Sequence, residues 1–437
     1  MTQIQQLPPR TAHERLEQTL LVVGVVALGF NLRTAIASLP PVFPELESSL
    51  HISTATISVL AATPVLCFGL VSGFAAALAR RIGEERILFA AIVALTAGLA
   101  VRAAAPRVAL FPGTILAGAG IAVMNVLLSS LIKRRAPDRA GFLIGLYITA
   151  LSAGAIIGSG VSVPLWQATG GSILITLGWL TAPAALAALL WLPQLREASS
   201  AAAKRAAASA APPVAAASSA AQPAPGAVAV YRYALAWQVT LFMGVQSLVY
   251  YATLSWLPTI LRYRGESAAG AGGLLALMGV GNLAVSLIVP VAAQRMRAQY
   301  ALVVPTVLAV AVGLAGLVYA PLGGAVAWAL ILGAGQNAAL ALAIFFTAAR
   351  SPHAAAAASL SAFSQADGYL LAAAGPIGVG LLRSGTGGWT VPVAVLLALT
   401  AILLVAGLLA ARPRMLPVGQ PVVDQPAVGQ PAVEGET

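Results

Sequence analysis

The chain has 437 residues, of which 59% are hydrophobic and only 8% charged, and its mean hydropathy is +0.90. A water-soluble domain of this size is never so poor in charge, so the composition excludes a soluble globular protein. The net charge of +11 would suit a nucleic-acid partner, but the basic residues lie in turns between apolar segments, so we predict no such partner. The single cysteine, Cys67, excludes an intramolecular disulfide and a cysteine metal cluster.

Twelve apolar segments of about 20 residues follow one another along the chain. A helix of that length crosses the ~30 Å hydrocarbon core of a bilayer, which indicates an all-α polytopic membrane protein. The first segment is too long for a signal peptide and is predicted to be retained. The predicted spans are 20–43, 54–79, 86–105, 108–132, 139–165, 172–193, 236–258, 268–294, 300–319, 323–347, 357–382 and 389–411.

These spans divide six and six, which predicts two six-helix bundles. The N-terminal bundle covers 20–193 and the C-terminal bundle 236–411. An Ala-, Ser- and Pro-rich segment at 194–235 is predicted to be a flexible cytoplasmic linker between them. We also predict a cytoplasmic N-terminus at 1–19 and a disordered cytoplasmic tail at 412–437.

Basic residues are distributed unequally between the two ends of the predicted spans. Counted loop by loop, eighteen fall on the side of the N-terminus and five on the other side, which are Arg102, Arg107, Arg262, Arg264 and Arg383. The positive-inside rule therefore places both termini in the cytoplasm. Arg102, near the outer end of span three, is predicted to reach interfacial water as an anchor.

Two segments of the chain repeat at nearly the same offset. GAGIAVMNVLLSSLIKRRAP at 118–137 matches GAGQNAALALAIFFTAARSP at 333–352, with Gly-Ala-Gly, an arginine and a proline recurring at an offset of 215. Gly158 recurs as Gly375, and the Gly-Gly pair that follows each also recurs, at an offset of 217. Two such matches indicate an internal duplication, which in transporters gives two bundles around a central cavity.

The loop between spans two and three has the sequence LARRIGEER at 78–86. It resembles the signature Gly-x-x-x-Asp-Arg-x-Gly-Arg-Lys of the major facilitator superfamily, with Arg81 and Gly83 at matching positions and Arg80 in place of the acid. The resemblance implies a gating loop that includes Arg80, Arg81, Gly83 and Arg86. Because the acid is replaced, it does not imply the usual gating ion pair.

Within that superfamily the chain most resembles the cyanate and 2-nitroimidazole transporter family. The resemblance rests on LARRIGEER, Asn31-Leu32-Arg33, TPVLCFG at 63–69 and LSAFSQADGYLLAAAGPIGVGLL at 360–382. It covers nearly the whole chain apart from the linker and tails. It implies the major facilitator fold, with spans one, four, seven and ten lining a cavity, and a secondary transporter of small solutes.

Arg33 is the charged residue that lies deepest in the first span. A charge at mid-bilayer costs roughly 2.5 to 3.5 kcal/mol on insertion scales, so it requires a pathway or a partner. We predict that Arg33 binds the substrate as an anion or dipole clamp; the alternative is a structural arginine bonded to carbonyls or to another helix. Asn31 lies about 200° around the helix from Arg33, so we predict with equal weight a substrate contact and a link between helices.

The second half offers a polar face on span seven. Gln246 and Tyr250 are spaced i, i+4, and Tyr251 adjoins them. Aromatic rings with a hydroxyl group suit a small planar ligand. Further amides lie in the middle of spans four, eight and ten, where each alone more often links helices but together they predict a polar pocket: Asn125, Asn282, Gln336 and Asn337.

Asp367 is the one acid placed deep in a predicted span. Desolvation raises the pKa of mid-membrane carboxylates, which can let them carry protons near neutral pH. We predict that Asp367 couples transport to protons. The alternatives are a fixed ion pair, for example with Arg33, and a capped acid near a helix break.

These features favour a secondary active transporter of a small anionic or polar solute, cyanate-like or nitroimidazole-like, in a bacterial-type inner membrane. A drug or metabolite efflux transporter of the same fold is the alternative. A membrane enzyme is not predicted, because the three histidines lie in loops or tails, and a sensor would normally carry a signalling domain. We predict no cofactor, no metal ion, no ATP-binding motif and a monomer that has the lipid bilayer, the substrate and protons as its partners.

Overall fold

A computed structural model of the chain describes residues 12–209 and 229–418; residues 1–11, 210–228 and 419–437 lie outside the described part. The described residues form fourteen α-helices and four short 3-10 turns. The first half contains α1 Ala12–Ala37, α2 Phe43–Leu50, α3 Thr54–Ile82, α4 Glu84–Ala104, α5 Pro106–Arg135, α6 Ala140–Ala168, α7 Ile173–Gly178 and α8 Thr181–Ser209. The second half contains α9 Ala234–Tyr263, α10 Ala268–Gln294, α11 Tyr300–Tyr319, α12 Ala325–Ala349, α13 Ala354–Thr386 and α14 Thr390–Ala410.

The twelve predicted spans correspond to the twelve long helices of the described residues, which are all the helices except α2 and α7. Nine helices in the described ranges are both long and apolar enough to cross a membrane. The other three long helices are α9, α10 and α13. Helices α9 and α13 carry the polar residues expected on cavity-facing helices, which lowers their hydropathy.

The ends of some helices differ from the predicted spans. Helix α1 ends at Ala37, because Pro40 and Pro41 begin a separate turn. The sixth predicted span is divided into α7 and α8, and Ser172 caps the first of these through its hydroxyl. Helix α8 continues to Ser209, through residues predicted to be linker, because alanine is the strongest helix former. The rest of that linker lies mainly outside the described residues.

One residue of the predicted tail packs against the bundle. Leu416 is 2% exposed, and its backbone N–H donates a 2.8 Å hydrogen bond to the carbonyl of Arg350. Residues 412–415 are exposed, and a disordered tail over 412–437 stays a prediction. Leu416 is held because its side chain is buried and its backbone amide is hydrogen-bonded. The Gln-Pro repeats that motivated the prediction lie further along the chain, outside the described residues.

Helix packing repeats between the two halves. In the first half α1 packs on α6 and α8, and α5 packs on α3 and α4; in the second half α9 packs on α13 and α14, and α12 packs on α10 and α11. The halves contact each other through two equivalent pairs, α3 with α13 and α6 with α10. Helix α3 is equivalent to α10 and α6 is equivalent to α13, so the two contacts are the same contact made in both directions. This is the packing expected of two repeats related by a pseudo-twofold axis.

Repeated glycines explain why the equivalent helices pack so closely. A Cβ atom at Gly118 would lie 3.1 Å from Cys67 Sγ in α3, and one at Gly333 would meet the backbone carbonyl of Met278 in α10. Likewise, a Cβ atom at Gly158 would approach α1, and one at Gly375 would approach α9. The two glycines of each pair thus allow equivalent helices to approach closely in both halves, as the predicted duplication requires.

One end of the bundle is rich in arginines; we call it the basic end. There the chain turns from α3 to α4 at Gly83, whose φ of 100° is a conformation that favours glycine. Arg134 Nε lies 3.0 Å from Glu84 Oε2, and Arg134 Nη2 lies 2.8 Å from Glu85 Oε1. These ion pairs fasten α4 to α5 within one half.

Candidate functional site

A cavity of about 450 Å³ lies between the two halves. Its walls come from α1, α3, α5 and α6 of the first half and from α9, α10, α12 and α13 of the second. It reaches from the middle of the bundle toward the basic end, where Ser129 of α5 and Phe345 of α12 line it. Pockets of this size and position, between helices of a bundle, are typical ligand sites.

Arg33 projects from α1 into the middle of this cavity. Its Nη1 donates a 3.1 Å hydrogen bond to the hydroxyl of Tyr250, and its guanidinium carbon lies 5.4 Å from the centre of that ring. Tyr147, Tyr251 and Tyr369 line the same cavity as Arg33 and Tyr250. The guanidinium is thus surrounded by aromatic faces and phenolic hydroxyls, which favour a cation without neutralising it.

No carboxylate neutralises Arg33 among the residues that the structure describes. The acids in described ion pairs are Glu45, Glu84 and Glu85, and each pairs with an arginine at one end of the bundle. Arg33 therefore brings a net positive charge to the cavity wall. An anion, or a ligand with a strong dipole, is the chemical partner that this site lacks.

Amide side chains form a small pocket of about 40 Å³ beside Arg33. Gln246 and Gln336 are 4% and 3% exposed, and Asn337 lines both this pocket and the main cavity. Gln246 Nε2 donates a 2.6 Å hydrogen bond to Ser247 Oγ. Both amide atoms of Gln336 are buried without a hydrogen-bond partner in the described part of the chain, so this side chain can both donate to and accept from a ligand.

Asn125 lies on the first-half wall of the cavity. Its Oδ1 accepts a 3.3 Å hydrogen bond from the hydroxyl of Tyr147. The structure therefore brings seven predicted residues together around the cavity and the small pocket beside it, and these are Arg33, Asn125, Gln246, Tyr250, Tyr251, Gln336 and Asn337.

Asn31 is placed elsewhere. Its Nδ2 donates hydrogen bonds to the carbonyls of Ala27, at 2.9 Å, and of Pro183 in α8, at 3.3 Å. It thus joins α1 to α8 on the side away from the cavity, as expected from its angle to Arg33. Of its two predicted roles, the geometry matches the link between helices.

Asp367 also lies away from the cavity. Gln365 and Tyr369 form the cavity face of α13, and Asp367 is about 160–200° around the helix from them. Its side chain is half-buried, and no ion pair between Asp367 and Arg33 forms among the described residues. Asn282 belongs to α10, but its side chain falls outside the described part of the chain.

The halves are joined at the end opposite the basic end; we call it the closed end. Arg262 Nη1 of α9 lies 2.7 Å from Glu45 Oε1 of α2. The rings of Phe43 and Trp256 have centres 6.0 Å apart, and Trp256 Nε1 donates a 2.9 Å hydrogen bond to the carbonyl of Pro376. The cavity therefore opens toward the basic end while an ion pair and aromatic contacts seal the other end.

Two polar contacts of the described residues cross between the halves at different depths. Arg33 of α1 meets Tyr250 of α9 in the middle of the bundle, and Glu45 of α2 meets Arg262 of α9 at the closed end. The first contact lies in the wall of the cavity, and the second lies where the cavity is sealed.

The predicted gating loop lies at the basic end. Arg80 and Arg81 are exposed in the last turn of α3, Gly83 forms the turn, and Arg86 is exposed in α4. Two acids of this loop, Glu84 and Glu85, bond to Arg134 of α5 in the same half.

Comparison with known proteins agrees with this architecture. A sequence profile described as the Major Facilitator Superfamily matches residues 20–376. The chain belongs to the major facilitator superfamily. It is 36% identical to the 2-nitroimidazole transporter of Escherichia coli (strain K12) over 90% of this chain and 96% of that protein. It is therefore a transporter of the family that includes that protein and, at 28% identity over 84% of this chain and 91% of that protein, the cyanate transport protein CynX of the same organism.

A relative from Bacillus subtilis (strain 168), the uncharacterized transporter YycB, is 37% identical over 93% of this chain and 97% of its own length. Among solved structures, a bacterial homolog of the human lysosomal transporter Spinster, in an inward-facing and unoccupied conformation, superposes with a TM-score of 0.71 at 16% identity, covering 94% of this chain and all of that chain. At that identity the likeness shows the fold of this superfamily member, an all-α membrane protein of two six-helix bundles.

Sequence reasoning missed two of the four tyrosines around Arg33, Tyr147 and Tyr369. A signal for them exists. Tyrosine in membrane proteins concentrates at the two interfaces, and five of the nine tyrosines in this superfamily member lie at helix ends. The other four lie inside helices, and they are the four that line the Arg33 cavity.

Proposed function

We propose that this protein carries a small planar anion, or a polar aromatic solute of nitroimidazole type, across the membrane by alternating access. The observation that carries the proposal is the Arg33 guanidinium, which faces a cavity between the halves and has no carboxylate partner in the described part of the chain. A substrate anion would supply the missing charge and would remove it again when it leaves. A secondary transporter needs this reversibility.

Cavity size and lining favour an aromatic solute over a triatomic inorganic anion. Pockets that bind organic ligands measure about 300–1,000 Å³, and this cavity, at about 450 Å³, falls in that range. Tyr147, Tyr250, Tyr251 and Tyr369 offer ring faces to a flat ligand, and the amide of Gln336 offers a donor and an acceptor at its edge. The similarity of the chain to the 2-nitroimidazole transporter of Escherichia coli supports the same choice.

A binding panel tests this assignment. The purified protein is titrated with 2-nitroimidazole, benzoate, cyanate and nitrate, and its thermal unfolding temperature is recorded at each concentration. The two aromatic compounds should raise the unfolding temperature at concentrations at least tenfold lower than the two inorganic anions, because a ligand that binds only the folded state stabilises it. Equal or inverted potency would overturn the choice of an aromatic substrate.

We further propose that Asp367 couples transport to protons. Import of a monoanion works against about 2.3 kcal/mol per 100 mV, and one proton cancels that charge. Asp367 lies on α13 beside the face where Ser364 and Gly368 pack on α9, so it would act on helix packing rather than on the substrate. Asp367→Asn should then abolish accumulation driven by a pH gradient, with unchanged substrate affinity and unchanged exchange between equal pools. Accumulation that still follows the gradient would exclude this role.

We also infer that the working unit is a monomer with both termini in the cytoplasm of a bacterial-type cell. All residues of the cavity come from a single chain, and the basic end collects the arginines that the positive-inside rule assigns to the cytoplasm. With that orientation the described conformation is inward-facing. The loop with Arg80, Arg81, Gly83 and Arg86 then lies at the cytoplasmic mouth, where a gating role remains our prediction.

A further inference from the structure

Arg102 occupies an unexpected position near the closed end. It lies in the last turn of α4 and is 2% exposed, so it does not reach interfacial water as its sequence position predicts. A Cβ atom at Gly113 of α5 would lie 2.7 Å from Arg102 Cβ. Helices α4 and α5 are therefore in direct contact here, and the Arg102 side chain is confined between them and the interior.

The guanidinium of Arg102 has no partner in the described part of the chain. Its Nε is buried without a hydrogen bond, and none of the described ion pairs includes it. Thr114 of α5 is also 2% exposed, and its Oγ1 is buried without a hydrogen bond. Two unsatisfied donors, one of them charged, are unusual in a membrane interior, because each such group is costly to desolvate.

Both side chains line the same small cavity. It measures about 20 Å³, which is room for one water-sized or slightly larger particle. Tyr251 and Ser255 of α9 line it from the other half. Tyr251 also lines the Arg33 cavity, so it forms a wall between the two sites.

A water molecule could satisfy the hydroxyl of Thr114, but it would leave the charge of Arg102 uncompensated. A monovalent anion meets both needs, since it accepts hydrogen bonds from the guanidinium and from the hydroxyl and cancels one charge. We propose that Arg102 and Thr114 form a second anion-binding site, separate from the Arg33 cavity, for a small monovalent anion of halide size. The site lies on the closed-end side of Tyr251, outside the Arg33 cavity.

Thermal unfolding in two salts tests the proposal. The purified full-length protein is unfolded in sodium gluconate and in sodium bromide at one ionic strength. Bromide should raise the unfolding temperature in a saturable manner. Arg102→Met should remove the bromide response, and in gluconate it should be at least as stable as the wild type, because it removes an uncompensated buried charge. Thr114→Val should raise the half-saturating bromide concentration severalfold.

Arg33→Met separates the two sites, because it should retain the bromide response while it loses the response to the aromatic compounds of the binding panel. If Arg102→Met does not fold, Arg102→Lys replaces it and should shift half-saturation to higher bromide. A wild-type protein that is equally stable in the two salts would overturn the proposal. So would a bromide response that disappears in Arg33→Met and persists in Arg102→Met, since the anion would then lie in the central cavity.

Discussion

Arg33 is held by hydroxyl groups and rings rather than by a carboxylate. Its guanidinium donates to Tyr250 at 3.1 Å and keeps further donors for a ligand. Arg33→Lys preserves the charge but replaces the planar fork by a point charge. We expect it to weaken binding of the aromatic substrate by about tenfold or more, the effect of one lost charge-assisted hydrogen bond. The loss of affinity is measured from the unfolding temperature at increasing concentrations of the aromatic compound.

The matched control is Arg107→Lys. Arg107 is exposed at the start of α5 and is not part of the cavity wall, so its replacement should leave the affinity unchanged. An unchanged affinity in Arg33→Lys and in Arg33→Ala would assign Arg33 a structural role instead.

Gln336 offers a second test at this scale. Its amide is buried and unsatisfied in the described part of the chain, so Gln336→Leu should leave the unliganded protein equally or more stable while it weakens binding. Gln299 is the control, because its amide bonds to the carbonyls of Ala293 and Met296 and accepts from Arg350. Gln299→Leu should destabilise the protein by about 1–3 kcal/mol without changing affinity. The opposite pattern in thermal unfolding with and without ligand would exclude Gln336 from the site.

The sequence predicted the central arginine and the amides of the site more readily than its full set of lining residues. Arg33 was predictable because a charge in mid-membrane requires a reason, and the amides because they repeat on cavity helices. Asn31 could not be separated from the site by type alone; its angle to Arg33 carried the information. Tyr147 and Tyr369 were missed because a tyrosine in an apolar helix looks unremarkable until its depth is compared with the interfacial tyrosines.

At the scale of helices, repeated glycines set the distance between neighbours. A Cβ atom at Gly333 would meet the backbone carbonyl of Met278, which cannot move without shifting α10. We therefore expect Gly333→Ala to destabilise the protein by about 1–3 kcal/mol. Gly378→Ala should be neutral or slightly stabilising, because nothing lies within 4 Å of its Cβ position and alanine favours the helix. Equal unfolding temperatures for the two variants would show that α12 does not pack on α10 in this way.

Span positions and the duplication were predictable because hydrophobic length and glycine spacing are local signals. The end of helix α8 was less predictable. The helix continues to Ser209 through an alanine-rich segment whose composition suits both a linker and a helix. The contact of Leu416 with the carbonyl of Arg350 could not be predicted, because it depends on tertiary packing between distant segments.

At the scale of the whole molecule, the pair Glu45–Arg262 stabilises the conformation closed at that end. This ion pair is mostly buried, so it contributes about 1 kcal/mol or more, which is about a fivefold or larger change in the ratio of the two conformations. Glu45→Gln should therefore increase, by about fivefold or more, the labelling of Ser255→Cys by a maleimide reagent from the closed-end side, in a Cys67→Ser background. Glu47→Gln is the control, since Glu47 has no ion pair across the halves among the described residues. Equal labelling rates in the two variants would contradict a closing role for Glu45.

Transport itself is tested most directly by exchange of radiolabelled benzoate in proteoliposomes, with wild type and Arg33→Met compared at equal protein content. The wild type should exchange label between equal pools at a saturable rate that unlabelled 2-nitroimidazole inhibits. Arg33→Met should fold, insert and lose at least nine-tenths of that rate. Exchange by Arg33→Met at the wild-type rate, or no saturable exchange by the wild type with either aromatic compound, would contradict a substrate path through the Arg33 cavity.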